Sequence, residues 1–292
     1  MLILDEKKIR KGKPIGLPYR GSKKKVSKKI VEIIKQNFGT DKPIYDIFGG
    51  GGAITAECML NGLEVHYNDL DKDITDMFQR VISQDREWIK TLIVSRDEFF
   101  EIKNKDIKTV DDNLKLLINS FGNNKRDYLY SAEWSDMKYN LAIEIIDKHD
   151  VFSGYKQTDT YKDADRPYDE GKIDKHKVLQ QLERLQQLER LEQLGSIKAT
   201  NFSYEAFSDI EDAVFYLDPP YENTGHIGYV GNFDSQTFYD WAYEMSKKNI
   251  VLISSYEISD DRFKCVYEFK NARSTMQSGS AGKRTEKLLM VV

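Results

Sequence analysis

The chain has 292 residues, 40% of them hydrophobic, and a formal net charge of −4. Its 17 Tyr, 14 Phe and 3 Trp argue against a disordered polymer, and with no run of about 18 apolar residues a helical membrane span is excluded. Two cysteines, Cys58 and Cys265, fit a reduced cytosolic protein better than a disulfide scaffold, and with four scattered histidines they make no ligand spacing, so no metal is expected.

Residues 1–30 hold eleven Lys/Arg against two acids, and residues 262–292 hold seven against two, which leaves the middle strongly acidic. The N-terminal stretch is charged from its fifth residue, so no signal-peptide core is read there. Pro18-Tyr19-Arg20-Gly21-Ser22-Lys23 reads as a turn before a helix over 24–37, whose apolar positions Val26, Ile30, Ile33 and Ile34 recur at helical spacing. The basic run against that helix points to a phosphate-facing surface. Ile44 to Phe48 is expected as a strand, Gly49 to Gly52 as a tight turn, and 53–61 as a helix closed by Gly62. A second strand, 63–67, ends at Asn68-Asp69. Strand, glycine turn, helix, strand, acid is the opening unit of a nucleotide-binding α/β sheet.

Helices are expected near 71–83 and 85–94. From about 119 to 175 the chain turns polar and tyrosine-rich, with a helix near 133–148 inside it. An inserted module is read here, because strand signals resume only after Gly195. In residues 179–194 leucine recurs every third position, which matches neither 3.6 nor 3.5. On an α-helix such a stripe spirals around the rod, which disfavours a coiled coil and predicts different neighbours along its length. Strands are expected at 197–200, 213–217, 250–254, 264–269 and 287–292, with a helix near 235–247. Strand–helix alternation around an insertion fits an α/β fold with a mixed, mostly parallel sheet.

Val214-Phe215-Tyr216-Leu217 ends abruptly in Asp218-Pro219-Pro220-Tyr221. The prolines remove two backbone donors, and Pro220 holds Pro219 extended. The turn therefore offers a carboxylate and carbonyls as acceptors beside a flat aromatic wall, which suits an amino group on a planar ring. The glycine turn lacks a following Gly-Lys-Ser/Thr, so a phosphate loop is excluded, and no third glycine completes a dinucleotide fingerprint. What remains, Phe48-x-Gly50-x-Gly52 with Asp46 before it and Asp69 at the next strand's end, suits an adenosine ligand without a pyrophosphate.

At these residues the chain resembles the Dam-type DNA adenine-N6 methyltransferases of bacteria and phages, through roughly 15–125 and 195–292. The resemblance implies a Rossmann-like methyltransferase fold with a seven-stranded sheet. The catalytic domain is expected over 1–118 and 195–292, with a mainly helical target-recognition insertion over 119–194. It implies S-adenosylmethionine as methyl donor, double-stranded DNA as partner and a bacterial or phage-infected cytosol as location. By position, Tyr19 and Lys23 touch the cofactor, Phe48, Gly50 and Gly52 form its methionine-side loop, and Asp69 binds its ribose. Asp218 to Tyr221 resemble the catalytic motif. Arg273-Ser274 and the loop from Ser278 to Arg284, including Lys283, resemble a second DNA-contacting segment. Asn201-Phe202 stand where many members have Asp-Phe, so Asn201 is expected to meet the cofactor's adenine as an uncharged partner.

The implied reaction is direct transfer to adenine N6, with Asp218 and the Pro219 carbonyl accepting the two amino hydrogens. The adenine is expected to leave the duplex and stack on Tyr221. Asn123, Asn124, Lys125, Arg126 and Tyr128 are the candidates for reading the target, Asn matching adenine, Arg guanine and Lys phosphate. Rival readings are methylation of cytosine N4, of RNA or of protein glutamine, and a catalytically silent DNA-binding relative.

Overall fold

The computed structural model describes residues 1–19, 21–164, 179–195, 197–222, 233–273 and 285–291. They divide into two compact units. The first comprises Met1–Gly16, Gly21–Phe78 and Ile197–Val292, and the second Leu17–Arg20 and Gln79–Ser196.

The first unit is built on a seven-stranded sheet of β1 (Ile44–Asp46), β2 (Val65–Asn68), β3 (Ala199–Thr200), β4 (Val214–Leu217), β5 (Ile250–Ser255), β6 (Phe263–Arg273) and β7 (Thr285–Val291). Their order across the sheet is β3-β2-β1-β4-β5-β7-β6. The first five pair in parallel, and β7 runs antiparallel between β5 and β6. The mixed, mostly parallel sheet read from the sequence is thus present.

Its central strand, β4, is apolar throughout because both faces are covered. Val214 and Tyr216 of β4 point to the face closed by α1 (Ser27–Phe38) and α2 (Ala53–Leu60), where they meet Ile30, Ile34, Ile54 and Leu252. Phe215 and Leu217 point to the face closed by α10 (Ser235–Ser246), against Phe238, Ala242 and Met245. α1 begins at Ser27 rather than at Lys24, since Lys23–Lys25 form a separate 3₁₀ turn.

The boundary between the two units falls within α3 (Lys72–Ile82). The reason lies in the chain beyond α4 (Arg86–Lys90). Two helices not anticipated, α5 (Arg96–Lys103) and α6 (Val110–Asn119), pack on each other and bury Val94, Phe99, Ile102 and Leu116 around Tyr128. Both are signalled by capping: Ser95 accepts the Glu98 N–H, and Thr109 and Asp112 form a reciprocal capping box. α7 (Ala132–Lys148) and the short α8 (Asp159–Ala164) precede the leucine repeat, which forms α9 (Gln180–Glu192).

α9 packs against both α4 and α6. Leu182, Leu185, Leu188 and Leu191 are fully buried, and Gln181, Arg184 and Glu189 between them are buried too. A three-residue stripe winds around the helix, so burial on several sides is what the period dictates. Arg184 donates to the carbonyls of Ile118 and Ser120, and Gln181 donates to the Asn119 side chain and the Tyr128 hydroxyl. Burial draws the Arg184 guanidinium down to about 10.

Candidate active site

Strand order reverses between β1 and β4, and ligands of open α/β sheets bind beyond the carboxyl ends of strands at such a reversal. The carboxyl ends of β1, β2 and β4 carry Asp46, Asn68-Asp69 and Asp218.

Asp46 is buried, and it accepts from the Thr55 N–H at 3.0 Å and the Thr55 hydroxyl at 2.6 Å. Its carboxyl is pushed up to about 7, chiefly by burial. These bonds run inward, to the first turn of α2.

The glycine turn comes next along the chain. Gly52 caps α2 with a left-handed backbone (φ 71°), and a Cβ there would lie 2.2 Å from the Phe78 ring. A Cβ on Gly49 would lie 2.4 Å from the Tyr67 ring. Tyr67 and Phe78 are stacked with centroids 4.2 Å apart, and the Tyr67 hydroxyl donates to the Gly50 carbonyl at 2.7 Å. The turn is thereby moulded around two aromatic rings. Phe48 lies in a different aromatic group, with Tyr204, Phe233 and Phe238.

Asp69 accepts from the Gly50 N–H through Oδ2 and from the Asp71 N–H through Oδ1, both at 2.8 Å. Each oxygen keeps a lone pair for a further donor such as a sugar hydroxyl. Burial raises its carboxyl to about 6 despite those two amide bonds. The neighbouring Asn68, which sequence reasoning passed over, is buried and holds the rim together. Its amide donates to the Ile47 and Phe202 carbonyls, and its oxygen accepts from Phe202 N–H and the Thr200 hydroxyl.

That network displays Asn201 and Phe202 outward. The Asn201 amide nitrogen donates to the carbonyls of Asp69 and Leu70 at 2.7 and 2.8 Å, which fixes its orientation and leaves Oδ1 as an acceptor. Leu70 and Phe202 are large apolar side chains, 47% and 55% exposed. Exposed apolar surface beside an amide oxygen matches an adenine ring and its amino group, and Asp69 matches a ribose. The residues present therefore fit the nucleoside half of S-adenosylmethionine.

In the Asp218-Pro219-Pro220-Tyr221 turn both prolines are buried and the Asp218 side chain is 17% exposed. Oδ2 takes the Lys23 ammonium at 2.7 Å, while Oδ1 is buried with no hydrogen-bond partner among the described residues. Burial raises the carboxyl to about 6, outweighing the nearby ammonium, which pulls the other way. Lys23 also stands 5.0 Å from the centre of the Tyr221 ring. Tyr221 packs edge-to-face on Tyr256 and donates its hydroxyl to Glu286, which also receives the Ser254 hydroxyl. Glu286 and Ser254 were not anticipated as site residues. The clue in the sequence is alternation: Glu286 shares a strand face with the fully buried Leu288.

Lys23, expected to touch the cofactor, places its ammonium on the Asp218 carboxylate and beside the Tyr221 ring, and Tyr19, expected with it, falls in the second unit. The candidate target-reading residues form a compact hairpin closed by a Ser120–Tyr128 bridge. Asn124 is used internally, accepting from the Arg126 and Asp127 N–H groups and donating to the Asp127 carboxylate. Asn123 donates to the Leu117 carbonyl, and Asn123 and Lys125 both adopt positive φ. Tyr128 is a correction to the surface role expected of it: it is 5% exposed and its hydroxyl donates to the Val94 carbonyl. Its ring props the hairpin from within the core. Arg126 is exposed, as is Phe121, at 66%. Arg273 closes β6 opposite Thr285. Ser274, Lys283 and Arg284 lie outside the described residues.

Among the described residues no group of three His, Cys, Asp or Glu side chains is placed to hold a metal ion, and no helix is long and apolar enough to cross a membrane. Comparison with curated proteins gives no match. A family model described as D12 class N6 adenine-specific DNA methyltransferase matches residues 19–284. That span takes in the glycine turn, Asp69, the hairpin and the Asp218–Tyr221 turn, and the chain belongs to this family of DNA-methylating enzymes.

Proposed function

We propose that the protein transfers the methyl group of S-adenosylmethionine to N6 of an adenine turned out of a DNA duplex, with Asp218 to Tyr221 as the place of reaction. S-adenosylmethionine supplies an electrophilic methyl on sulfur. Everything else falls to the chain. Asp69 takes the ribose hydroxyls, Asn201 Oδ1 takes the adenine amino group of the cofactor, and Phe202 and Leu70 flank its ring. The moulded turn around Gly50 and Gly52 lets backbone approach the methionine end.

The observation that carries the reading is Asp218 Oδ1, a buried acceptor without a donor among the described residues. Leaving such a group unmatched costs about 1–3 kcal/mol, and the exocyclic amino group of a target adenine supplies the missing N–H. The Pro219 carbonyl accepts the second hydrogen. Two acceptors held in place favour a pyramidal nitrogen whose lone pair is available for in-line attack. Tyr221 supplies a wall for the everted base. The second unit is assigned target recognition, with residues 119–194 as its reading segment, and Arg126 and Lys125 presented by the hairpin. Lysines around 24–29 and the segments around Arg273-Ser274 and Lys283-Arg284 are assigned to phosphates. A duplex-DNA enzyme of this kind works in the cytosol of a bacterium or of a phage-infected cell.

The test uses tritiated S-adenosylmethionine with an adenine-containing duplex to read transfer, and a second duplex with 2-aminopurine at the target position, which has no 6-amino group to methylate, to read eversion. Asp218→Ala is expected to lose transfer by about 10³-fold while binding DNA and raising 2-aminopurine fluorescence as the parent does. Near-parental turnover in Asp218→Ala would remove the turn from the chemistry.

A further inference from the structure

Glu286 of β7 is buried, lies against the reacting carboxylate's partners, and has no part in the roles assigned so far. Two hydroxyls converge on it, from Tyr221 in the turn and from Ser254 on β5, and the Lys23 ammonium stands 3.8 Å away. The same ammonium is 2.7 Å from Asp218 Oδ2. Lys23 is therefore held between two carboxylates, closer to one, with the Tyr221 ring alongside.

A glutamine would hold the two hydroxyls equally well through its oxygen. What a carboxylate adds is charge, and placing charge in a buried position is costly unless a partner is shared. Lys23 alone beside Asp218 would drain that oxygen pair of acceptor strength, since an adjacent ammonium lowers the basicity of a carboxylate. A second anion restores it. We propose that Glu286 is a positioning residue for methyl transfer: it fixes the Tyr221 ring through its hydroxyl and shares the Lys23 ammonium with Asp218, keeping Oδ1 a strong acceptor for the target amino group. This inference rests on the reading of Asp218 as the acceptor of the adenine amino group.

The electrostatics agree in sign. Lys23 lowers the affinity of Asp218 for a proton and Glu286 raises it. Among the described residues, the other titratable groups that face or sense Asp218 are Tyr221, Tyr216 of β4, and Asp46 and Asp69 at the ends of β1 and β2. Of these carboxylates, Glu286 alone has the Lys23 ammonium within 4 Å along with Asp218.

The experiment measures single-turnover methyl transfer against pH for the full chain with duplex DNA, together with DNA affinity and thermal melting. Glu286→Gln is expected to keep DNA affinity, to slow transfer roughly tenfold, and to move the acid limb of the rate profile down by about one pH unit. Glu286→Asp restores the charge, so its acid limb returns to the parental position while the rate stays reduced through the retracted carboxylate. A parental rate and an unmoved limb in Glu286→Gln overturn the proposal. So does a slowed rate with the limb unmoved, which marks a structural role only. If Glu286→Gln does not fold, Lys23→Met decides: losing the shared ammonium is expected to move the acid limb up by about one pH unit, and an unmoved limb overturns the proposal. An active Asp218→Ala would instead defeat the reading on which this rests, and the two failures are thereby distinct.

Discussion

Asp46 does for α2 what the helix's own cap residue has no side chain to do. Gly52 occupies the cap position, and the Asp46 carboxylate reaches across from β1 to accept both the N–H and the hydroxyl of Thr55 in the first turn. The glycine is held there by its left-handed backbone and by Phe78, so the cap has to come from elsewhere.

This buried cap makes stability depend on pH. The folded-state pKa of Asp46, about 7, lies above the ordinary carboxylate value. Its proton-linked contribution to stability is complete below about pH 4 and is lost as pH rises through about 7. Asp46→Asn keeps an acceptor for Thr55 and removes the charge. Its stability relative to the parent is expected to climb between pH 5 and pH 8.5, by an amount on the order of 2 kcal/mol. A difference that stays flat with pH in thermal melts would refute this.

Asp69 is the acid with oxygens still able to accept. Asp69→Ala is expected to raise the KM for S-adenosylmethionine about 10- to 100-fold, with kcat at saturating cofactor much less affected. Loss of kcat alone would place the residue in the chemistry instead.

Arg126 is exposed on a hairpin whose backbone is braced by Asn124 and by the buried Tyr128. Arg126→Ala is expected to relax preference at one target position by about 1–3 kcal/mol, while general affinity and its salt dependence change little. Methylation of a randomised duplex pool checks it, and an unchanged pattern excludes Arg126 from base reading.

Much of this was legible because it is local. β4 and its Asp-Pro-Pro-Tyr ending, the glycine turn and Asp69 each sit within short windows whose apolar runs and turn residues leave little choice. Glu286 was legible only in part: alternation with Leu288 sets it on the buried face of its strand, but only the insertion of β7 beside β5 turns it towards Tyr221. Tyr128 failed for the opposite reason, since a polar, tyrosine-rich loop reads as surface while α5 and α6 remain unseen. Their signals, Ser95 with Glu98 and Thr109 with Asp112, were present as capping pairs.

The leucine repeat supplies a further check. Leu185 is fully buried in α9, so Leu185→Ala is expected to cost about 2–5 kcal/mol. Because Arg184 and Gln181 on the same helix hold the carbonyls and side chains that begin the hairpin, hydrogen exchange should quicken over 118–128 in this variant. Exchange confined to α9 would contradict that coupling.

The placement of β7 sets an order of events during synthesis. β6 pairs with β7 and not with β5, so a nascent chain that has left the ribosome only as far as β6 has an unclosed sheet edge at β5 and no Glu286. β7 follows the other six strands along the chain yet lies between two of them, so the sheet closes only after all of its other strands have been made, and a polypeptide halted before residues 285–291 leaves β5 and β6 unjoined.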